Sequence, residues 1–280
     1  MIAGPDTAAV ALDVARALAE DLGSGDVSAA LIADTLSEAV IVCRDSAVVC
    51  GKHWAEACIH QLDPAAEFAW QVDDGDRVQS GAQLCRIRGS SRALLSGERT
   101  ALNFLQTLSA TATATAKFVA ALAGTSARIL DTRKTLPGLR LAQKYAVRCG
   151  GGSNHRIGLF DAVMLKENHI LAAGGLSAAI RSARVHYPAL PLIVEVETQS
   201  QLEEALVCSG ATRILLDNFS LAAMREAVVL VAGRLPLEAS GGLDIESLRA
   251  VAETGVDFIS IGALTKHIRA VDLSMRFASS

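Results

Sequence analysis

Leu192-Ile193-Val194-Glu195-Val196 is a short apolar, β-branched run that carries one carboxylate and stops at Glu197. Runs of the same kind follow at Arg213–Leu216, Leu237–Ala239 and Phe258–Ile261, with Asp217, Ser240 and Gly262 just past their ends. Counted on Glu195, Asp217, Ser240 and Gly262, the repeat is 22, 23 and 22 residues. Apolar runs of this length alternating with amphipathic stretches are the pattern of parallel βα units. Working backwards, Ala127–Leu130 ends at Asp131 and Ala162–Leu165 ends at Lys166. An eight-unit barrel takes about 250 residues, so the repeat length fits. Six strands fall short of eight, and an α/β fold with an incomplete (β/α) barrel is predicted.

The chain before about residue 110 mixes helical and strand-like pieces. Asp6–Leu22 places Val10, Val14, Ala17 and Leu18 at helical spacing and ends at Gly23. Strands are predicted at Glu38–Cys43, Ala47–Cys50 and Leu84–Arg88. A long helix is predicted over Gly97–Leu122, with Leu102, Leu105 and Leu108 on one side. Val72–Ile87 resembles half of a carrier domain, but no lysine stands at a matching hairpin tip, and the stretch reads as structural β.

Composition narrows the function. The 280 residues are 51% hydrophobic, too apolar for disorder, and the net charge of -4 lacks the basic footprint of a nucleic-acid binder. No apolar stretch approaches the roughly 20 residues of a membrane span. Asp6 and Asp13 stand where a signal peptide would be basic and then apolar. Six cysteines without a C-x-x-C pair fit thiols in a reducing cytoplasm.

Charge is unevenly spread. Arg128–Lys166 holds eight Lys and Arg against Asp131 and Asp161 alone. Arg140, Lys144 and Arg148, four residues apart, read as a solvated helix face. Arg133-Lys134, His155-Arg156 and Lys166 instead follow strands and glycines, where they would converge on a polyanionic small molecule. Lys166 equally suits a Schiff-base nucleophile, as in an aldolase. Gly150-Gly151-Gly152 would leave backbone amides open to a ligand. Ser240-Gly241-Gly242, before a helix opening near Asp244, and Gly262 resemble the phosphate site after the last strands of many barrels. Glu195 and Glu197 alternate onto one strand face, and with Asp217 they offer hard oxygen ligands suited to Mg2+ beside phosphates.

The motifs, taken in order, identify a family. Asp131-Thr132-Arg133-Lys134-Thr135-Leu136-Pro137-Gly138-Leu139-Arg140, Lys144-Tyr145-Ala146-Val147, Gly150-Gly151-Gly152-x-Asn154-His155-Arg156 and Lys166-Glu167-Asn168-His169 resemble the quinolinate phosphoribosyltransferases. The likeness extends to Glu98-Arg99, Val194-Glu195-Val196-Glu197, Leu216-Asp217-Asn218, Ser240-Gly241-Gly242 and Ile259-Ser260-x-Gly262-Ala263-Leu264-Thr265. Departures are small: Ser28 where Thr is common, and Ala110 where Gly is frequent.

The resemblance implies a type II phosphoribosyltransferase architecture. An N-terminal α/β sandwich domain would span 1–110, joined by 266–280, with the barrel over 111–265. The implied reaction joins quinolinate to phosphoribosyl pyrophosphate, giving nicotinate mononucleotide, pyrophosphate and CO2 with Mg2+, in de novo NAD biosynthesis. Arg133, Lys134, His155, Arg156 and Lys166 would bind the quinolinate carboxylates and nearby phosphates. Glu195 and Asp217 would hold ribose hydroxyls and Mg2+, and with Lys134 they are the expected catalytic residues. Ser240, Gly241, Gly242 and Gly262 would hold the 5′-phosphate. Arg99 would reach the neighbouring subunit's site in a homodimer or an assembly of dimers, in the cytoplasm.

Overall fold

The computed structural model describes residues 2–278. The chain divides into two compact units, one drawn from Met1–Ala116, Thr135–Gly151 and Leu264–Ser280, the other from Lys117–Lys134 and Gly152–Ala263. Of the stretch 266–280 expected to rejoin the first domain, residues 279 and 280 lie outside the described residues.

In the first unit, the helix Thr7–Leu22 begins where Asp6 Oδ1 accepts the Ala8 N–H at 2.9 Å. It ends at Gly23, whose φ of +50° suits glycine. Val10, Val14 and Leu18 are buried along one face. The long helix runs Ser91–Ala121, starting at Ser91 rather than Gly97, and it buries Leu102, Leu105 and Leu108 as their spacing predicts. An antiparallel sheet has the order Leu273–Phe277, Leu36–Cys43, Gln83–Ser90, Glu67–Trp70. Its last-arriving strand pairs Leu273 with Cys43.

Among the described residues of this unit, the 3-10 helix Ala29–Leu31, the helix Lys52–His60 and the strands Glu67–Trp70 and Leu273–Phe277 have no counterpart in the sequence reading. The helix Lys52–His60 has Gly51 at its N-cap, with no capping side chain of its own. Asp74 caps it from a distant turn, its Oδ1 accepting the Gly51 and Lys52 N–H groups at 3.0 and 3.2 Å. A cap supplied from elsewhere in the chain leaves no local signal.

The helix Arg140–Cys149 corrects an expectation. It is not a solvated face: Lys144 is 2% exposed, and six of its neighbours in the helix are buried with it. Gln143 anchors it, donating to the Thr265 carbonyl at 2.8 Å and accepting from Leu136 N–H at 2.8 Å. Gly150 follows because a Cβ there would stand 2.4 Å from the Ala112 carbonyl oxygen. The first glycine of the triplet therefore serves close packing, where a ligand loop had been expected.

The second unit carries six parallel strands in the order Arg128–Leu130, Phe258–Ser260, Leu237–Ser240, Arg213–Asp217, Leu192–Val196, Val163–Leu165. All six fall where the apolar runs predict. From Val163–Leu165 onward each strand neighbours its successor, and the first strand pairs with the last. That is the cyclic order of a barrel, left open between the first and second strands. The opening coincides with the point where the chain departs into Thr135–Gly151 of the other unit. Parallel strands place their C-terminal ends together, so Asp131, Lys166, Glu195, Asp217 and Ser240 gather at one end of the sheet.

Candidate active site

The site is assembled from a buried carboxylate outward. Asp131, just past the first strand, is fully buried; its Oδ1 accepts the His155 N–H at 2.8 Å and its Oδ2 accepts Asn154 Nδ2 at 2.6 Å. The Ser153 N–H donates to the Ile129 carbonyl at 2.9 Å. The chain from Ser153 to Arg156 is thereby folded alongside the first strand, beside Arg133 and Lys134.

A cavity of about 190 Å³ opens at the C-terminal ends of the strands. Arg133, Lys134, His155, Arg156 and Lys166 line it, together with Glu195, Glu238 and Ser240. Met164 and Leu215 add apolar surface. The volume is below the roughly 300–1,000 Å³ of drug-sized sites and suits a small molecule.

The electrostatics favour an anion. Burial pushes the Arg156 guanidinium below its usual range, and the nearby Arg133 guanidinium pushes the same way. Two cations that repel one another in a partly dry cavity are relieved by a bound anion, and paired guanidiniums suit two-point recognition of carboxylate. Lys166 Nζ lies 2.8 Å from Glu195 Oε2, and Glu195 is 8% exposed. This ion pair differs from the apolar setting that activates a Schiff-base lysine, so the geometry supports anion binding for Lys166.

Several expected residues sit elsewhere. Asp217 ends its strand half-buried, accepting Asn218 Nδ2 at 2.8 Å, and is not part of the cavity lining. Nor are Gly241, Gly242 and Gly262. Gly241, with φ +107°, is required by contact: a Cβ would stand 2.1 Å from Asn218 Oδ1. Gly262 makes room for Lys134, whose Cδ would lie 2.9 Å from an added Cβ. The helix expected near Asp244 begins only at Leu248, so among the described residues no helix N-terminus directly follows Gly241-Gly242. Glu197 follows the strand end at Val196, is exposed and is not part of the cavity lining. Arg99 is exposed on the long helix of the first unit.

The sequence reading missed Glu238. It is fully buried in the strand Leu237–Ser240, with Arg213 Nη1 at 3.0 Å and His155 Nε2 at 3.3 Å. Burial raises its carboxyl, but the His155 and Arg213 contacts outweigh burial and hold it below the ordinary glutamate range. The signal was present: a lone Glu within a buried parallel strand is costly unless paired.

Comparison with known proteins agrees with this architecture. Residues 26–109 match the N-terminal domain model of quinolinate phosphoribosyl transferase, and residues 111–276 match its C-terminal domain model. The chain is 42% identical over 270 residues to the nicotinate-nucleotide pyrophosphorylase [carboxylating] of Mycobacterium leprae, covering 94% of this chain and 95% of that protein. It is 41% identical over 281 residues to quinolinate phosphoribosyltransferase [decarboxylating] 1b of Nicotiana tabacum, covering 93% and 80%. The solved nicotinate-nucleotide pyrophosphorylase of Francisella tularensis superposes with a TM-score of 0.96 at 44% identity, covering 99% of each chain. With both domain models matched in order over nearly its whole length, this chain belongs to the quinolinate phosphoribosyltransferase family.

Proposed function

We propose that this protein transfers the phosphoribosyl group of phosphoribosyl pyrophosphate to quinolinate and decarboxylates the product, giving nicotinate mononucleotide, pyrophosphate and CO2 for NAD biosynthesis. The observation that carries the reading is the convergence of Arg133, Lys134, Arg156 and Lys166 on one small cavity beside Glu195. A dianionic pyridine and a polyphosphate donor both need such a site.

In this reading Arg133, Arg156 and Lys166, with His155, receive the quinolinate carboxylates, and Met164 and Leu215 face the ring. The pyridine nitrogen lone pair attacks the anomeric carbon. The bond from that carbon to the pyrophosphate oxygen breaks, and pyrophosphate leaves with the electron pair. Glu195 and Asp217 hold the ribose hydroxyls and stabilise the cationic sugar, while Lys134 neutralises charge on the leaving group. The ring is now a pyridinium. The bond to its 2-carboxylate breaks, the electron pair stays on the ring, CO2 departs, and a proton from water replaces it. Ser240, Gly241, Gly242 and Gly262 serve the 5′-phosphate.

The donor set fits Mg2+. Glu195 and Asp217 supply hard carboxylate oxygens from adjacent strands without closing a cage, and Mg2+ is usually held by one or two carboxylates together with substrate phosphates. When bound, Mg2+ supplies charge neutralisation to the pyrophosphate.

We assign the protein to the cytoplasm as a homodimer, with the exposed Arg99 entering the partner's site. The six free cysteines support a reducing compartment. Among the described residues, no helix is long and apolar enough to cross a membrane. The test is incubation with quinolinate, phosphoribosyl pyrophosphate and Mg2+. Nicotinate mononucleotide that disappears when any component is omitted supports the reading, and no product from folded protein refutes it.

A further inference from the structure

Glu238 is a charged residue in the site that the anion-binding reading leaves unused. It borders the cavity but is 0% exposed, and its oxygens face Arg213 and His155. Its two oxygens face different groups: Oε2 accepts from Arg213 Nη1 at 3.0 Å, and the buried Oε1 lies in charge contact, 3.3 Å from His155 Nε2, without a hydrogen bond among the described residues. Arg213 supplies the counter-charge, its guanidinium held over the Phe258 ring at 4.4 Å.

His155 is hydrogen-bonded at Nδ1, and its buried Nε2 lies within ion-pair distance of Glu238. Its Nδ1 accepts the backbone N–H of Arg156 at 2.7 Å. An accepting Nδ1 carries no proton, so the neutral ring bears its proton on Nε2, the nitrogen facing Glu238. Carboxylates commonly set a functional histidine's tautomer and orientation in this way. With Nδ1 unprotonated and Nε2 buried against Glu238, neither nitrogen is left to donate to a substrate carboxylate. What the ring holds in place is the Arg156 backbone, and with it the guanidinium beside Arg133.

We propose that Glu238 is a positioning residue of the reaction: with Arg213 as its counter-charge, it fixes His155 as the Nε2–H tautomer, which holds Arg156 at the anion cavity. This rests on the quinolinate reading and changes one part of it. His155 serves quinolinate through Arg156 and does not bond it directly.

The test is the pair Glu238→Gln and Glu238→Gln/Arg213→Met. Arginine only donates, so the new amide must give its oxygen to Arg213 and its NH2 to His155. That requires a proton on Nδ1, where it opposes the Arg156 N–H. The single variant should therefore shift the histidine 15N signature from Nε2–H towards Nδ1–H. Its KM for quinolinate should rise about 10-fold or more, as when the carboxylate orienting a functional histidine is lost. Its KM for phosphoribosyl pyrophosphate should change less than about twofold. Removing Arg213 as well lets the amide turn its oxygen to His155. The double variant should regain the Nε2–H signature and much of the quinolinate KM, whereas a merely structural pair would lose more with each change.

An Nδ1–H signature in the unsubstituted protein would overturn the proposal. So would a single variant with unchanged tautomer and KM, or a folded double variant without rescue. If the single variant does not fold, the double variant and the unsubstituted protein carry the same spectral test. The tautomer is read without substrate, so absence of product in the unsubstituted protein would sink the quinolinate reading separately.

Discussion

Lys166 Nζ and Glu195 Oε2 meet at 2.8 Å across adjacent parallel strands whose register sets Leu165 beside Val194. The pair joins a cation and a carboxylate that both line the cavity. It also keeps the carboxylate of the 8%-exposed Glu195 from lying unpaired in a partly dry site.

Glu195→Gln should therefore separate the two substrates. The charge lost is the one assigned to the sugar donor, so kcat should fall by about 10²–10³, the usual cost of removing one preorganised transition-state contact. Quinolinate affinity measured by calorimetry without the sugar donor should change far less. Equal loss of both would remove Glu195 from the sugar and metal role.

Arg156→Lys tests two-point recognition. Lysine keeps the charge but loses the planar fork. One charge-assisted hydrogen bond is worth about 1.5–3 kcal/mol, so quinolinate affinity should drop roughly 10- to 100-fold while the melting temperature holds. Titration calorimetry measures it, and wild-type affinity would count against Arg156 as a carboxylate ligand.

Arg99→Ala tests the shared site. The exposed side chain makes little contribution to its own unit, so the variant should fold normally and be inactive. Refolded as a mixture with Arg156→Ala, it should recover up to about a quarter of wild-type activity, because mixed symmetric dimers carry one intact site. No recovery in mixtures shown by mass spectrometry to contain heterodimers would place Arg99 outside the partner's site.

Glu238 predicts a pH dependence of stability. Its carboxyl is held below the ordinary value of 4.5, with burial opposing and the His155 and Arg213 contacts prevailing. The unfolded chain then binds more protons than the native one as pH falls through this range. The stabilisation is complete above about 4.5 and is lost progressively below it. Urea unfolding from pH 7 to 3 should show the gap between the unsubstituted protein and Glu238→Gln narrowing on the acid side. A gap that widens would show that burial, and not pairing, dominates this carboxyl.

The second unit was legible because its signals are local. Each parallel strand is built on a short, largely buried apolar run, and each ends near a residue carried to the same edge of the sheet. The first unit was read less well. The helix at Lys52–His60 takes its cap from Asp74, and the strand Leu273–Phe277 exists through pairing with Leu36–Cys43, more than two hundred residues away. Pairing at that separation has no signature in a window of ten or twenty residues.

The sequence by itself determined the six-strand array, the clustering of cationic residues between Arg128 and Lys166, and the family, through motifs whose order and spacing are specific. Only the tertiary structure decided which of those charges share a cavity. It buried Lys144 in a helix that reads as solvated, turned Glu197 to solvent where the strand ends, and assigned Gly150 to close packing. It also joined Glu238 to His155 and Arg213. Periodicity records which face of an element a residue occupies, whereas the cost of burying a charge depends on partners that only the folded chain supplies.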